Sequence, residues 1–127
     1  MIRQIAPQFF ATDIGRAVAW YQEKLGFNCR GTWLDPPVYA IVERDQHAIH
    51  FRCAEPATPN PNKYADELLD AYLSVEDVDA LYEEFAARGV EFTRGLADTP
   101  WGTREFVVRD CDGRLLVFGS PASARNA

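Results

Sequence analysis

The sequence carries its punctuation twice. Asp13 and Asp77 each stand before a segment with apolar residues at helical spacing, and Gly26 and Gly89 each stand after one. VERD (42–45) recurs as VVRD (107–110), and His50-Phe51 is matched by Val117-Phe118. A period of about 64 residues with shared stops constrains the chain to a duplicated module, because both halves must turn and bury an apolar face at the same steps.

Within the first half, IAPQFFAT (5–12) reads as a short apolar strand. In IGRAVAWYQEKLGF the residues Ile14, Ala17, Val18, Tyr21 and Leu25 share one helical face. Asp13 or Thr12 can cap that helix, and Gly26 can end it in the left-handed conformation. Three β-prone segments follow, FNCRGTW, VYAIVER and HAIHFRC, parted by Asp35-Pro36-Pro37 and by Asp45-Gln46. The second half repeats the order: DAYLSVED as strand and cap, then VDALYEEFAARGV as a helix with Val78, Leu81, Tyr82 and Phe85 on one side. EFTRGL, TREFVVRD and GRLLVFG complete it, with DCDG as a hairpin turn before the last strand. Each half is therefore βαβββ, and the fold class is α+β. The first module covers about 1–54 and the second about 67–120, with the proline- and asparagine-rich stretch at about 55–66 as a linker. The small polar tail, 121–127, is expected to fray.

Composition narrows the partners. With 127 residues of which 47% are hydrophobic, the chain can fill a core. A formal net charge of -6 disfavours nucleic acid and anionic membrane surfaces, while a cationic ligand is tolerated. The N-terminal MIRQIAPQFF lacks the apolar run of a signal peptide, and no segment approaches a membrane span, so a cytoplasmic location is expected. Cys29, Cys53 and Cys111 are odd in number and widely spaced. They are expected as buried thiols packed like small hydrophobes, not as a disulfide framework or zinc knuckle.

HAIHFRC (47–53) holds both histidines of the chain. His47 falls at a hairpin and reads as a solvated turn residue. Period-2 alternation puts His50 and Cys53 on opposite faces of the strand, which weakens any thiolate–imidazole pairing.

Three stretches, FFATDIGRAVAWYQEKLGF, LSVEDVDALYEEFAARGVEF and WGTREFVVRDCDGRLLVFG, make the chain resemble the vicinal oxygen chelate superfamily, which includes glyoxalase I, extradiol dioxygenases and bleomycin-resistance proteins. The resemblance covers about residue 5 to residue 120. It implies paired modules curled into a cup with helices outside and a ligand inside, the cup often completed by modules of two chains in a homodimer. Metal-using members place ligands at positions that fall here on Ala6, His50, Asp70 and Val117. Two of these carry no donor, so no metal or other cofactor is expected, although His50 and Asp70 with waters remain an alternative.

Alternation gives the cup face Gln8, Phe10, His50, Arg52, Asp70 and Tyr72, and Trp33, Tyr39, Trp101 and Phe106 are candidate aromatic walls. A solvated sheet face with scattered polar residues is the competing reading. The family arrangement brings His50 near Asp70, a pair that suits acid–base chemistry, ligand orientation, or mutual satisfaction of two polar groups. Arg52 offers an anion contact or a snorkelled surface arginine. DPPVYA (35–40) and DTPWGTRE (98–105) sit at matching places and present Tyr39 and Trp101 as a rim or as core.

The leading expectation is a protein similar to bleomycin-resistance proteins, binding and sequestering a small molecule as a homodimer without metal or reaction. A lyase, isomerase or dioxygenase-like enzyme using His50 and Asp70 is the alternative. A structural or partner-binding module is the third.

Overall fold

The computed structural model describes residues 1–54 and 69–122. The linker at 55–66 and the tail beyond residue 122 lie outside the described residues. The chain divides into two compact units, Met1–Pro59 and Asn60–Ala127.

In the first unit β1 (Gln8–Ala11) leads to α1 (Ile14–Leu25), followed by β2 (Asn28–Trp33), β3 (Tyr39–Arg44) and β4 (His47–Cys53). The sheet order is β1-β4-β3-β2, with β1 parallel to β4 and the other neighbours antiparallel. The helix begins where the Asp13 carboxylate accepts the Arg16 amide at 3.0 Å, satisfying an amide the helix cannot. It stops at Gly26, whose φ of 71° a side chain would strain. Arg44 donates from Nη1 to the Leu25 carbonyl at 2.7 Å, covering an end group that would otherwise lack a partner. The buried side of α1 is Ile14, Ala17, Val18, Tyr21 and Leu25, the set that helical spacing selects. The core sits between that side and Phe9, Ala40, Val42 and Phe51, with the Tyr21 and Phe51 rings 5.0 Å apart at 66°. Each fully buried large side chain contributes about 1.5–3 kcal/mol.

The second unit repeats the plan as β5 (Ala71–Ser74), α2 (Val78–Ala87), β6 (Phe92–Asp98), β7 (Thr103–Arg109) and β8 (Leu115–Pro121), in the order β5-β8-β7-β6. Asp77 caps α2 through the Ala80 amide at 3.0 Å, and Gly89 beyond its end has a φ of 78°. Arg104 ties the first turn of α2 to the sheet, bonding Asp79 at 2.9 Å and Asp98 at 3.2 Å. The duplicated module is thus present in both halves. The parallel ladders pair Gln8 with His50 and Tyr72 with Val117, so the alignment of His50 with Val117 holds in register.

The cysteines depart from expectation. They form no disulfide, but Cys29 and Cys111 are half-buried and Cys53 is exposed. Each lies where the core is thin: Cys29 on edge strand β2, Cys53 at the last residue of β4, and Cys111 in the turn between β7 and β8.

Candidate functional site

The sheet of the first unit turns one face to α1 and leaves the other open. Register places two cross-strand rows on the open face. Phe10, Arg52, Tyr39 and Trp33 lie opposite one another across β1, β4, β3 and β2, and Gln8, His50, Ile41 and Gly31 form the adjacent row. Neighbours within a row are about 5 Å apart and the rows about 7 Å apart. Gln8, Phe10, His50 and Arg52, expected on this face from alternation, and Trp33 and Tyr39, expected as candidate aromatic walls, therefore share it.

Tyr39 organises this face. Its hydroxyl lies 2.7 Å from His50 Nδ1 and 3.0 Å from Gln8 Oε1. A phenol carries one proton, so it donates to only one of them. When it donates to Gln8, His50 donates Nδ1–H to the phenol oxygen, and Nε2 of the neutral ring is left as an acceptor. When it donates to His50, the Gln8 amide is turned to offer its NH2 and His50 keeps the proton on Nε2. In both states the side of the imidazole away from Tyr39 offers one hydrogen bond, whose sense follows the Gln8 amide. The Tyr39 ring also stands edge-on to His50 at 5.7 Å and to Trp33 at 5.8 Å. Trp33 lies over Gly31, where an added Cβ would meet indole carbons at 3.4 to 3.8 Å. Glycine at 31 thus lets the indole rest along the sheet, with 47% of Trp33 still exposed.

The second unit uses the same device with different chemistry. Tyr72 lies over Gly119: a Cβ there would sit 2.5 Å from the Tyr72 hydroxyl and 3.1 Å from Glu105 Cβ. Glu105, buried on β7, accepts from Arg94 Nη2 at 2.9 Å and from Thr103 Oγ1 at 3.0 Å. Sequence reasoning passed over this buried ion pair, although Thr103, Glu105 and Val107 alternate with Arg104, Phe106 and Val108 in TREFVVR. Trp101 is exposed in a turn closed by the Thr99 amide donating to the Thr103 carbonyl at 2.8 Å. Asp70 accepts the Leu115 amide at 2.9 Å through Oδ2, fastening the entry of β5 to β8.

Phe106 is a correction. It does not line the open face: its side chain is fully buried against Phe85 of α2, at 5.8 Å, and stacked on Phe118 at 5.3 Å. Alternation along β7 sends it to the helix side, opposite in phase to Glu105.

The Tyr72 phenol is held above the usual range, first by desolvation and then by the negative charge of Glu105. The neutral phenol therefore supports folding fully below its unfolded value, and that support is lost as pH rises through the higher folded value. Spectrophotometric titration should show a late tyrosine phase that is lost in Tyr72→Phe and shifted to lower pH in Glu105→Gln. An unchanged titration in Glu105→Gln contradicts the assignment.

The positions at which metal-using relatives carry ligands do not fit a divalent ion here. Ala6 and Val117 have no donor atom, and Val117 is fully buried in an apolar setting beside Val107. His50 Nδ1 and Asp70 Oδ2 already have partners within their own units. Among the described residues no three His, Cys, Asp or Glu side chains gather at one point. A catalytic first-row ion wants about three protein ligands.

A family model described as the Glyoxalase/Bleomycin resistance protein/Dioxygenase superfamily matches residues 2–118. No curated protein sequence matches. Solved structures do. TioX from Micromonospora sp. ML1 is 25% identical with a TM-score of 0.75, covering 94% of this chain and 98% of that one. The bleomycin-binding protein of bleomycin-producing Streptomyces verticillus, solved with copper(II)-bleomycin, is 28% identical with a TM-score of 0.70, over 93% of this chain and 95% of that one. A glyoxalase-related enzyme from Clostridium phytofermentans shares the fold at 22% identity and a TM-score of 0.76, over 95% and 96% of the two chains.

Proposed function

The chain belongs to the glyoxalase/bleomycin resistance protein/dioxygenase superfamily, and on that premise we propose that it binds and sequesters a small molecule as a homodimer, without a metal and without changing the ligand. The observation that carries this reading is the open face of the first unit. It joins exposed aromatic surface at Phe10 and Trp33 to a hydrogen-bonded Gln8–Tyr39–His50 cluster. Aromatic walls with a few fixed polar groups are what a small-molecule site needs. The missing donors at Ala6 and Val117 and the likeness to a bleomycin-binding protein support binding over metal-assisted chemistry. The described residues contain no helix long and apolar enough to cross a membrane.

Protein purified without chelator is expected to carry no stoichiometric metal and to elute at twice the chain mass. A thermal-shift screen should find aromatic ligands that raise the melt, since saturation at 100 times Kd adds about 2.7 kcal/mol to stability. Mass spectrometry should recover the ligand unchanged. Stoichiometric Zn, Ni, Mn or Fe that disappears in His50→Ala would overturn the reading. An enzyme acting through His50 is the second reading, favoured by the one feature that Tyr39 fixes the imidazole as a general base or acid requires. Turnover of a recovered ligand, abolished in His50→Ala, would establish it over sequestration.

A further inference from the structure

The whole-chain charge suggests a cationic ligand, but the open face of the first unit has the opposite local sign. Its two central rows contain one formal cation, Arg52, and no carboxylate. The nearest acid on that face, Glu43, is engaged by Arg30 at 3.4 Å. Arg52 is exposed and has no acidic partner among the described residues. It stands directly opposite Tyr39 and next but one to His50 on the same strand. Within about a Debye length, 8–10 Å, a nearby charge outweighs distant ones that solvent screens.

Resting on the ligand-binding reading above, we propose that the ligand is an aromatic acid, its ring laid on Trp33 and its anionic group held by Arg52 and His50. The Trp33 indole lies on the sheet over Gly31 with its outer surface exposed, which makes it a platform for a planar ring. Two strand spacings, about 10 Å, separate Trp33 from Arg52 in their row, the span of a fused bicyclic ring bearing a carboxylate. Phe10 closes the row at its other end and is 44% exposed. The guanidinium suits a carboxylate because its paired N–H groups match two oxygens. His50 adds a hydrogen bond from the ring edge that Tyr39 leaves open, with Nε2 protonated.

The test uses three probes of one shape and different charge, 2-naphthoate, 2-naphthylmethanol and 2-naphthylmethylamine, titrated calorimetrically into the full chain. Naphthoate is expected to bind about tenfold or more tighter than the alcohol, the increment of one charge-assisted hydrogen bond. Arg52→Gln should remove that preference while leaving alcohol binding intact, Arg52→Lys should keep most of it, and Trp33→Ala should weaken acid and alcohol alike. Both positions are exposed, so the variants should melt like the parent. If the amine binds as tightly as the acid, or Arg52→Gln keeps the preference, the anionic assignment fails while ligand binding stands. If none of the three binds, the ligand-binding reading fails with it.

Discussion

Asp110→Ala is expected to cost about 3–5 kcal/mol, because it takes a 2.8 Å carboxylate from a buried cation and opens a turn at once. The Asp110 side chain is fully buried and the Arg114 side chain 7% exposed. Oδ1 accepts the Asp112 amide at 2.8 Å and the Arg114 amide at 2.9 Å, and Oδ2 accepts Arg114 Nη1 at 2.8 Å. Without the carboxylate, two amides lose an acceptor and the guanidinium loses its 2.8 Å ion pair, with Asp112 Oδ2 farther off at 3.6 Å. Native stability of a domain this size is about 5–15 kcal/mol, so the loss is a large share of it. Asp110→Asn keeps an acceptor but no charge, and should fall between parent and alanine variant. At the matching position Asp45→Ala should cost about 1 kcal/mol at most, since its side chain is 85% exposed and only 3.5 Å ion-paired to Arg44. Urea unfolding of the three variants decides it: a loss below 1 kcal/mol for Asp110→Ala refutes the clamp.

That contrast marks where the sequence stops being legible. VERD and VVRD align, yet Asp45 sits at a φ of 53° in a two-residue turn with Gln46 at 69°, whereas Asp110 heads a longer loop that returns at Leu115. A repeat preserves where the chain turns; it does not preserve what a side chain finds in the turn. Elements were legible where one residue type enforces an end, as Asp13, Asp77, Gly26 and Gly89 do, or where spacing selects a face, as in α1. Strand limits followed for the same reason: an apolar run between turn residues has few alternatives.

The site was legible only in part. Alternation along β1 and β4 sufficed to gather Gln8, Phe10, His50 and Arg52, because face follows from register. The partner of His50 within its unit was not legible. The sequence leaves Tyr39 as rim or core at the start of a β-prone segment; it is the first residue of β3, and ladder pairing brings its hydroxyl to 2.7 Å from the imidazole. Cross-strand neighbours depend on turn length, which a proline-rich stretch such as DPPV does not state. Net charge is a coarse guide for a related reason: it sums over the chain, and the field at a face depends on which charges already have partners.

Phe106→Ala should cost about 3–5 kcal/mol, the range for removing a large aromatic from a packed core. The ring contacts Tyr82 at 5.3 Å, Phe92 at 5.5 Å, Phe85 at 5.8 Å and Phe118 at 5.3 Å, so its loss leaves a cavity that several rings must share. Phe106→Leu should cost less, and it keeps enough volume for ligand titration on a folded protein. In that variant the affinity for naphthoate is expected to equal the parent's, while Trp33→Ala should do the reverse, weakening binding with stability within about 0.5 kcal/mol. The two substitutions separate two uses of exposed and buried aromatics in a short chain: Phe106 packs α2 to its sheet, and Trp33 is held on a surface by a glycine that gives way to it. If Phe106→Ala leaves the urea midpoint at the parent's value, the ring does not hold α2 to its sheet.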